Sequence, residues 1–148
     1  MNNPAEKTLY RTAAVIFEEM GFLLPIPGDA PIGDSPAAGA SVSFSGPFSG
    51  MLIVRVTRDA LPVLSTNMLG EPAPADARVE RDALGEVANV ICGNVLPAIA
   101  GPDTVFHLKT PLFFDGEVPA RLIASHQLRA DAHITLECGR ADVMLYVA

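Results

Sequence analysis

The sequence has few cysteines and few basic residues, and each shortage argues against a class of protein. The two cysteines, Cys92 and Cys138, form neither a C-x-x-C pair nor a dense disulfide pattern. Both thiols are therefore predicted to be buried and reduced, as in a cytosolic protein. The 10 Lys and Arg residues against 17 Asp and Glu residues give a formal net charge of −7, which opposes binding to phosphate backbones and anionic lipids. We expect neither nucleic acid nor a membrane surface as a partner.

The sequence also lacks the segments that export or anchor a protein. The first 20 residues contain Glu6, Glu18 and Glu19 and have no apolar run followed by a small-residue cleavage site, so they do not resemble a signal peptide. No stretch approaches the ~18 consecutive apolar residues that suggest a membrane-spanning helix. A cytoplasmic location is the expectation.

The composition is that of a compact folded chain. Of the 148 residues, 49% are hydrophobic and 18% are charged, which excludes a disordered protein. Because domains usually contain ~100–200 residues, residues 1–148 are predicted to form a single domain.

The hydrophobic pattern predicts helices first, then a hairpin, two more helices and a series of strands. Apolar residues recur at helical spacing over 4–20, 59–68 and 76–100. A hairpin is predicted with strands at 41–45 and 51–56, and further strand-like segments lie at 105–110, 120–128, 134–138 and 143–147.

Segments rich in proline and glycine separate these elements, with a surface loop predicted at 24–40 and a connector at 71–75. Turns are predicted at Asp115-Gly116 and Gly139-Arg140. The order lacks the regular strand-helix alternation of a parallel sheet, so it favours an α+β layered fold in which helices cover a largely antiparallel sheet.

The predicted helix at 76–100 has two chemically different faces. An apolar stripe that is expected to pack on the sheet consists of Leu84, Val87, Ala88, Ile91 and Val95. The opposite face gathers Asp82, Glu86, Asn89 and Gly93. The spacing of Glu86 and Asn89 places a carboxylate and a carboxamide about 5–6 Å apart at their Cβ atoms, so both can address one small target.

Such a polar face is also what an ordinary solvent-exposed helix surface looks like. Gly85 and Gly93 argue for something more, because each glycine in a helix interior costs about 1 kcal/mol relative to alanine. They indicate that another element approaches the helix closely, and packing against a second helix is the simplest form of that approach. Spacing alone leaves the function open.

The string from Asp82 to Asn94, DALGEVANVICGN, closely resembles the signature of the CheC/CheX/FliY family of bacterial chemotaxis phosphatases. That signature is an Asp, three residues, a Glu, two residues and an Asn, followed four residues later by Gly-Asn. FEEMGF at 17–22, the hairpin at 46–56 and MLGE at 68–71 are similar to other family elements in the same order. The single copy of the signature matches the single-site CheX type best.

The resemblance implies a CheX-like fold, a homodimer, and a phosphatase that hydrolyses the phosphoaspartate of a phosphorylated CheY-like response regulator. Glu86 and Asn89 are the implied catalytic pair: Asn89 positions the attacking water, and Glu86 pairs with the active-site lysine of the regulator. No cofactor is implied on this chain, and Mg²⁺ is expected on the regulator. The matched residues with an implied structural role are Asp82, which holds a local hydrogen bond, Gly85, Gly93, and Asn94, which is expected on the buried side.

Two other functions are alternatives to this phosphatase. A module of the same fold could dock on a response regulator or a flagellar-switch-like partner without hydrolysis, and a small-molecule sensor has no supporting motif. The three histidines, His107, His126 and His133, lack the H-x-x-E-H or H-x-H spacing of a zinc site. The sequence also lacks a nucleotide-binding phosphate loop and a G-x-S-x-G elbow.

Overall fold

The structure is a computed structural model, and it describes residues 3–26, 36–70 and 76–148. Four helices and seven strands follow one another along this part of the chain. In order they are α1 (Pro4–Gly21), β1 (Pro25–Ile26), β2 (Ala38–Ser45), β3 (Gly50–Val56), α2 (Ala60–Leu69), α3 (Ala77–Ala100), β4 (His107–Leu108), β5 (Leu112–Asp115), α4 (Ala120–Ile123), β6 (Gln127–Leu136) and β7 (Gly139–Val147).

The described strands form one antiparallel sheet in the order β1-β6-β7-β3-β2-β4, with β5 also paired to β2. Strands β3 and β7 occupy its centre, although they lie far apart in the sequence. Helices α1, α2 and α3 pack together, and α1 and α3 pack on the sheet. The predicted α+β layered fold with a largely antiparallel sheet is confirmed.

The three predicted helices are present, and side-chain caps begin two of them, α1 and α3. Asn3 accepts a hydrogen bond from the backbone N–H of Ala5 at 2.8 Å, and Asp76 accepts one from Arg78 at 2.9 Å, which satisfies donors that a helix start leaves free. The predicted stripe on α3 is fully buried. This burial fixes the rotation of α3 and turns its other face toward solvent.

By length and composition, α3 is apolar enough to cross a bilayer, and it is the one described helix of which this is true. Half of its most apolar 18-residue window is buried inside the protein. The core helix of a globular fold has the same composition, since it is surrounded by apolar neighbours.

Several predicted boundaries in the C-terminal third are wrong. Residues 120–123 form the short helix α4 instead of a strand, because Pro119 precedes them and Ala120, Arg121 and Leu122 all favour helix. Strand β6 begins at Gln127 and continues to Leu136. Of the segment at 105–110, strand structure is confined to His107–Leu108.

The N-terminal loop and the last turn also differ from the prediction. Strand β1 and the first residues of β2 lie within the predicted loop at 24–40, while its residues 27–35 and the connector at 71–75 fall outside the described residues. The turn between β6 and β7 consists of Glu137 and Cys138, and Gly139 already belongs to β7. Cys92 is buried as predicted, but Cys138 is only half-buried because it lies in this turn.

Candidate functional site

Glu86 and Asn89 lie on the solvent-facing side of α3, one helical turn apart. Glu86 is exposed and Asn89 is half-buried. Among the described residues, neither side chain makes a hydrogen bond or an ion pair. Both polar groups therefore remain available to a molecule that docks on this face.

A groove of about 450 Å³ adjoins Glu86 toward the start of α3. It is lined by Ala40, Arg81, Asp82, Gly85, Glu86, Thr110, Pro111 and Phe113. The loop before β5 lies close to α3 here because Gly85 has no side chain: a Cβ at Gly85 would lie 3.3 Å from Pro111. The predicted close approach at Gly85 is therefore present, but its partner is a loop residue and not another helix.

A second groove, of about 260 Å³, lies toward the end of α3. Its lining is mainly apolar and consists of Gly93, Leu96, Pro97, Thr104, Val105, Phe106 and Leu108. Gly93 is exposed, and a Cβ there would have only Leu108 nearby, at 3.9 Å. Gly93 thus packs against no second helix. Because it has no side chain, it leaves space on the helix surface next to Asn89.

One residue matched to the signature lies elsewhere than expected, and another lacks its expected hydrogen bond. Asn94 is exposed, and its side-chain amide donates to the backbone oxygen of Val90 at 2.7 Å. At 100° per residue, Asn94 lies about 80° from the centre of the buried stripe, which places it at the edge facing α1. Asp82 is exposed and makes no hydrogen bond with any residue that the structure describes, so the expected local bond is absent.

The three histidines do not come together. His107 is exposed on β4, His126 is half-buried before β6, and His133 lies on β6. Within the described ranges, no group of three potential metal ligands occurs. A zinc site built from these side chains has no support in the described part of the chain.

A charged cluster on the β6–β7 hairpin was not foreseen from the sequence. The buried Asp142 lies opposite His133, with 2.6 Å between Oδ1 and the ring Nδ1, and it accepts two hydrogen bonds from Arg140 at 3.0 Å. Burial acts to raise the pKa of Asp142, but the bonds from Arg140 and His133 outweigh it and hold the pKa below its usual value. Finding this cluster requires the strand register, which the sequence pattern did not supply.

The arrangement on α3 is suited to positioning rather than to covalent chemistry. Glu86 offers an anionic acceptor, and Asn89 offers one acceptor and two donors without any charge. A neutral amide beside a carboxylate can orient a water molecule and hold a cationic group at the same time. Neither residue is a nucleophile of the serine or cysteine type.

Comparisons with known proteins identify a family from the sequence and similar folds among solved structures. The sequence model described as chemotaxis phosphatase CheX matches residues 38–134, whereas the search of curated proteins gave no match. A CheX from Desulfovibrio desulfuricans is similar in structure, with a TM-score of 0.76, 21% identity, and coverage of 99% of this chain and 100% of that chain. A CheX from Vibrio vulnificus has a TM-score of 0.76 and 17% identity, covering 100% and 99%.

A complex from Borrelia burgdorferi is also similar to this chain. It contains CheX, CheY, BeF₃ and Mg²⁺, and the match has a TM-score of 0.68 and 16% identity, covering 95% of this chain and 96% of that chain. At these identities the structural matches establish the fold, which is the one predicted from the sequence.

Proposed function

The chain belongs to the CheX family of chemotaxis phosphatases, and on that premise we propose that Glu86 and Asn89 catalyse hydrolysis of the phosphoaspartate on a CheY-like response regulator. The observation that carries this proposal is the exposed carboxylate one helical turn from a half-buried carboxamide, both without partners among the described residues. The two grooves beside them leave room for a protein surface to approach.

Asn89 is proposed to position the attacking water. The water oxygen bonds to phosphorus as the bond between phosphorus and the aspartyl oxygen breaks, which yields a free aspartate carboxylate and inorganic phosphate. The proton released by the water passes to the phosphate. Because an acyl phosphate is already reactive, holding the water in line is enough to accelerate this step.

Glu86 is proposed to anchor the complex by pairing with the active-site lysine of the regulator. The Mg²⁺ is proposed to reside on the regulator, which is supported by the presence of CheY and Mg²⁺ together in the Borrelia complex. This chain then contributes side chains alone and no cofactor. A hundredfold acceleration corresponds to about 2.7 kcal/mol, which positioning can supply.

The remaining features of the proposal concern the whole chain. Residues 1–148 are proposed to act as one domain, because the buried residues of three helices and the central strands form one core cluster. Two copies are proposed to associate as a homodimer, and the protein is proposed to act in the cytoplasm, where response regulators are phosphorylated.

The test is the lifetime of the phosphoaspartate on response regulators from the same organism. We expect the unmodified protein to shorten it about 100-fold and Asn89→Ala to leave it within about 3-fold of unassisted decay. Glu117→Ala removes an exposed carboxylate outside both grooves, so it is the control for both Asn89→Ala and Glu86→Ala.

Full activity in Asn89→Ala would overturn the assignment of that residue. Unassisted decay of every regulator in the presence of the unmodified protein would overturn the phosphatase. Binding without hydrolysis would instead support the docking module of the same fold.

A further inference from the structure

Arg81 is a cation that the catalytic proposal leaves without a role. It is exposed on α3, and its guanidinium carbon lies 4.7 Å from the centre of the Phe113 ring. Arg81 and Phe113 both line the 450 Å³ groove that reaches Glu86. The Phe113 ring thus holds the guanidinium in the groove beside the candidate site.

The donors of Arg81 are not used within the protein. Over residues 3–26, 36–70 and 76–148, ion pairs occur only in the cluster around Asp142, and Arg81 makes no side-chain hydrogen bond. Contact with the Phe113 ring uses no N–H donor, so the N–H edge of the guanidinium keeps its donors for a partner. That edge matches a carboxylate in a bidentate geometry.

The local fold fixes the position of the Phe113 ring relative to α3. Phe113 stands on β5, opposite the buried Ala40 of β2. The loop that leads to β5 reaches α3 because Gly85 leaves space for Pro111. Arg81 is therefore presented by two elements whose separation is set by packing, which lowers the entropy lost when it binds a partner.

The negative charges around the groove favour a cation at the position of Arg81. The chain has a net charge of −7, and Asp82 and Glu86 add two carboxylates beside the groove. A phosphoaspartate and the carboxylates that hold its Mg²⁺ form a negative surface. Two negative surfaces repel, so a cation on one of them lowers the repulsion and favours the relative position in which it meets a carboxylate.

We propose that Arg81 is a docking residue, which binds a carboxylate at the rim of the regulator's phosphorylation site and so sets the register in which Glu86 and Asn89 enter it. This inference rests on the proposed function, because the regulator is the partner that it names. It adds a residue whose contribution is to binding and not to the hydrolytic step.

The test separates binding from turnover. Binding is titrated with a regulator loaded with Mg²⁺ and beryllium fluoride, which mimics the phosphoryl group without being hydrolysed. For Arg81→Ala we expect an affinity about 10-fold weaker and a half-saturating regulator concentration about 10-fold higher, with the maximal rate within about 2-fold. The affinity of the unmodified protein should fall with added salt, and that of Arg81→Ala should fall less.

Three further variants make the result specific. Arg121→Ala removes an exposed arginine on α4, outside the groove, and should bind like the unmodified protein. Arg81→Lys keeps the charge but loses the planar guanidinium, and Phe113→Leu keeps Arg81 but removes the aromatic ring that it contacts. Each variant should lose about 3-fold in affinity. Thermal unfolding of each variant shows whether it is folded.

Equal affinities of Arg81→Ala and Arg121→Ala would overturn the docking role while leaving the phosphatase intact. A lower maximal rate at unchanged half-saturation would also overturn it, since Arg81 would then act in the chemistry. Binding that depends on Arg81 without any hydrolysis would refute the phosphatase and keep the docking residue. Absence of binding by the unmodified protein to every regulator would overturn both.

Discussion

At the scale of single residues, burial decides how the two cysteines react. Cys92 is completely buried on α3, and this burial raises the pKa of its thiol to about 12. Cys138 is half-buried in the β6–β7 turn, and the pKa of its thiol is raised as well, mainly by this burial. The reactive species is the thiolate, and a reagent must also reach the sulfur.

We therefore expect iodoacetamide at about pH 8 to modify Cys138 first and to leave Cys92 unmodified in the folded protein. Mass spectrometry of the native and the denatured protein measures the two sites separately. The denatured sample is the control, because both thiols should react there. Modification of Cys92 in the native sample at the rate of Cys138 would contradict this assignment.

The proximity of the two candidate residues was predictable from the sequence, whereas the contacts around them were not. Glu86 and Asn89 are neighbours through the helical repeat alone, so their proximity follows once α3 forms. Arg81 meets Phe113, 32 positions further along the chain, only because β5 pairs with β2. A contact of that kind depends on tertiary packing that spacing does not encode.

At the scale of elements, the β6–β7 hairpin is joined by the cluster around Asp142. The Asp142 side chain is 7% exposed, and its carboxylate is held between Arg140 and His133. Because its pKa in the folded state lies below the ordinary value, the ionised form stabilises the fold. That stabilisation is present above the ordinary carboxyl pKa and is lost as the pH falls through the lower, folded value.

We expect Asp142→Asn to reduce the free energy of unfolding by about 1–3 kcal/mol at neutral pH. The difference from the unmodified protein should shrink as the pH falls below about 4, because the unfolded chain then takes up the proton first and the folded carboxylate follows at its lower pKa. Urea unfolding at a series of pH values measures it, and Asp103→Asn, at an exposed site, is the control. A difference that stays constant down to acid pH would argue against an ionic role.

The elements that were predicted well are those that carry their own local information. Helices α1 and α3 have caps and apolar stripes, and the β2–β3 hairpin has alternating residues on β2 and an apolar run on β3. Helix α4 has neither, since it spans four residues and none of them is buried. Its apolar residues looked like a strand because a short segment of that kind fits both periodicities.

At the scale of the whole molecule, the sheet has unequal edges. Strands β4 and β5 form one edge, and Phe113 of β5 lines the groove beside the candidate site. At the other edge, β1 covers only Thr135 and Leu136 of the ten-residue β6. Among the described strands, residues 127–134 of β6 therefore lack a second neighbour, and Leu128 there is 51% exposed.

Within the described residues, the outer backbone groups of this segment have one side-chain partner, Asn3, which donates to the backbone oxygen of Arg129 at 3.4 Å. The rest of the segment is a surface on which a second copy can pair. A twofold dimer built on β6 would pair the two β6 strands antiparallel. Each candidate groove lies beside β5, toward the other edge of its sheet, and would stay open to solvent. A dimer built on β5 would instead bring the partner next to the groove that Phe113 lines. Of these two edges, β6 is therefore the one at which a second copy would leave the groove open to a regulator.

We expect sedimentation equilibrium to give a mass close to twice the 15.6 kDa of one chain. Leu128→Asp should shift the protein toward the monomer, because it places a charge on the pairing edge. Leu69→Asp, on an equally exposed leucine at the end of α2, should leave the mass unchanged. A monomeric unmodified protein would refute the dimer, whereas a dimer that resists Leu128→Asp would place its interface away from β6. If the β6 dimer is correct, Leu128→Asp should still hydrolyse the phosphoaspartate, since each candidate site is formed by side chains of a single chain.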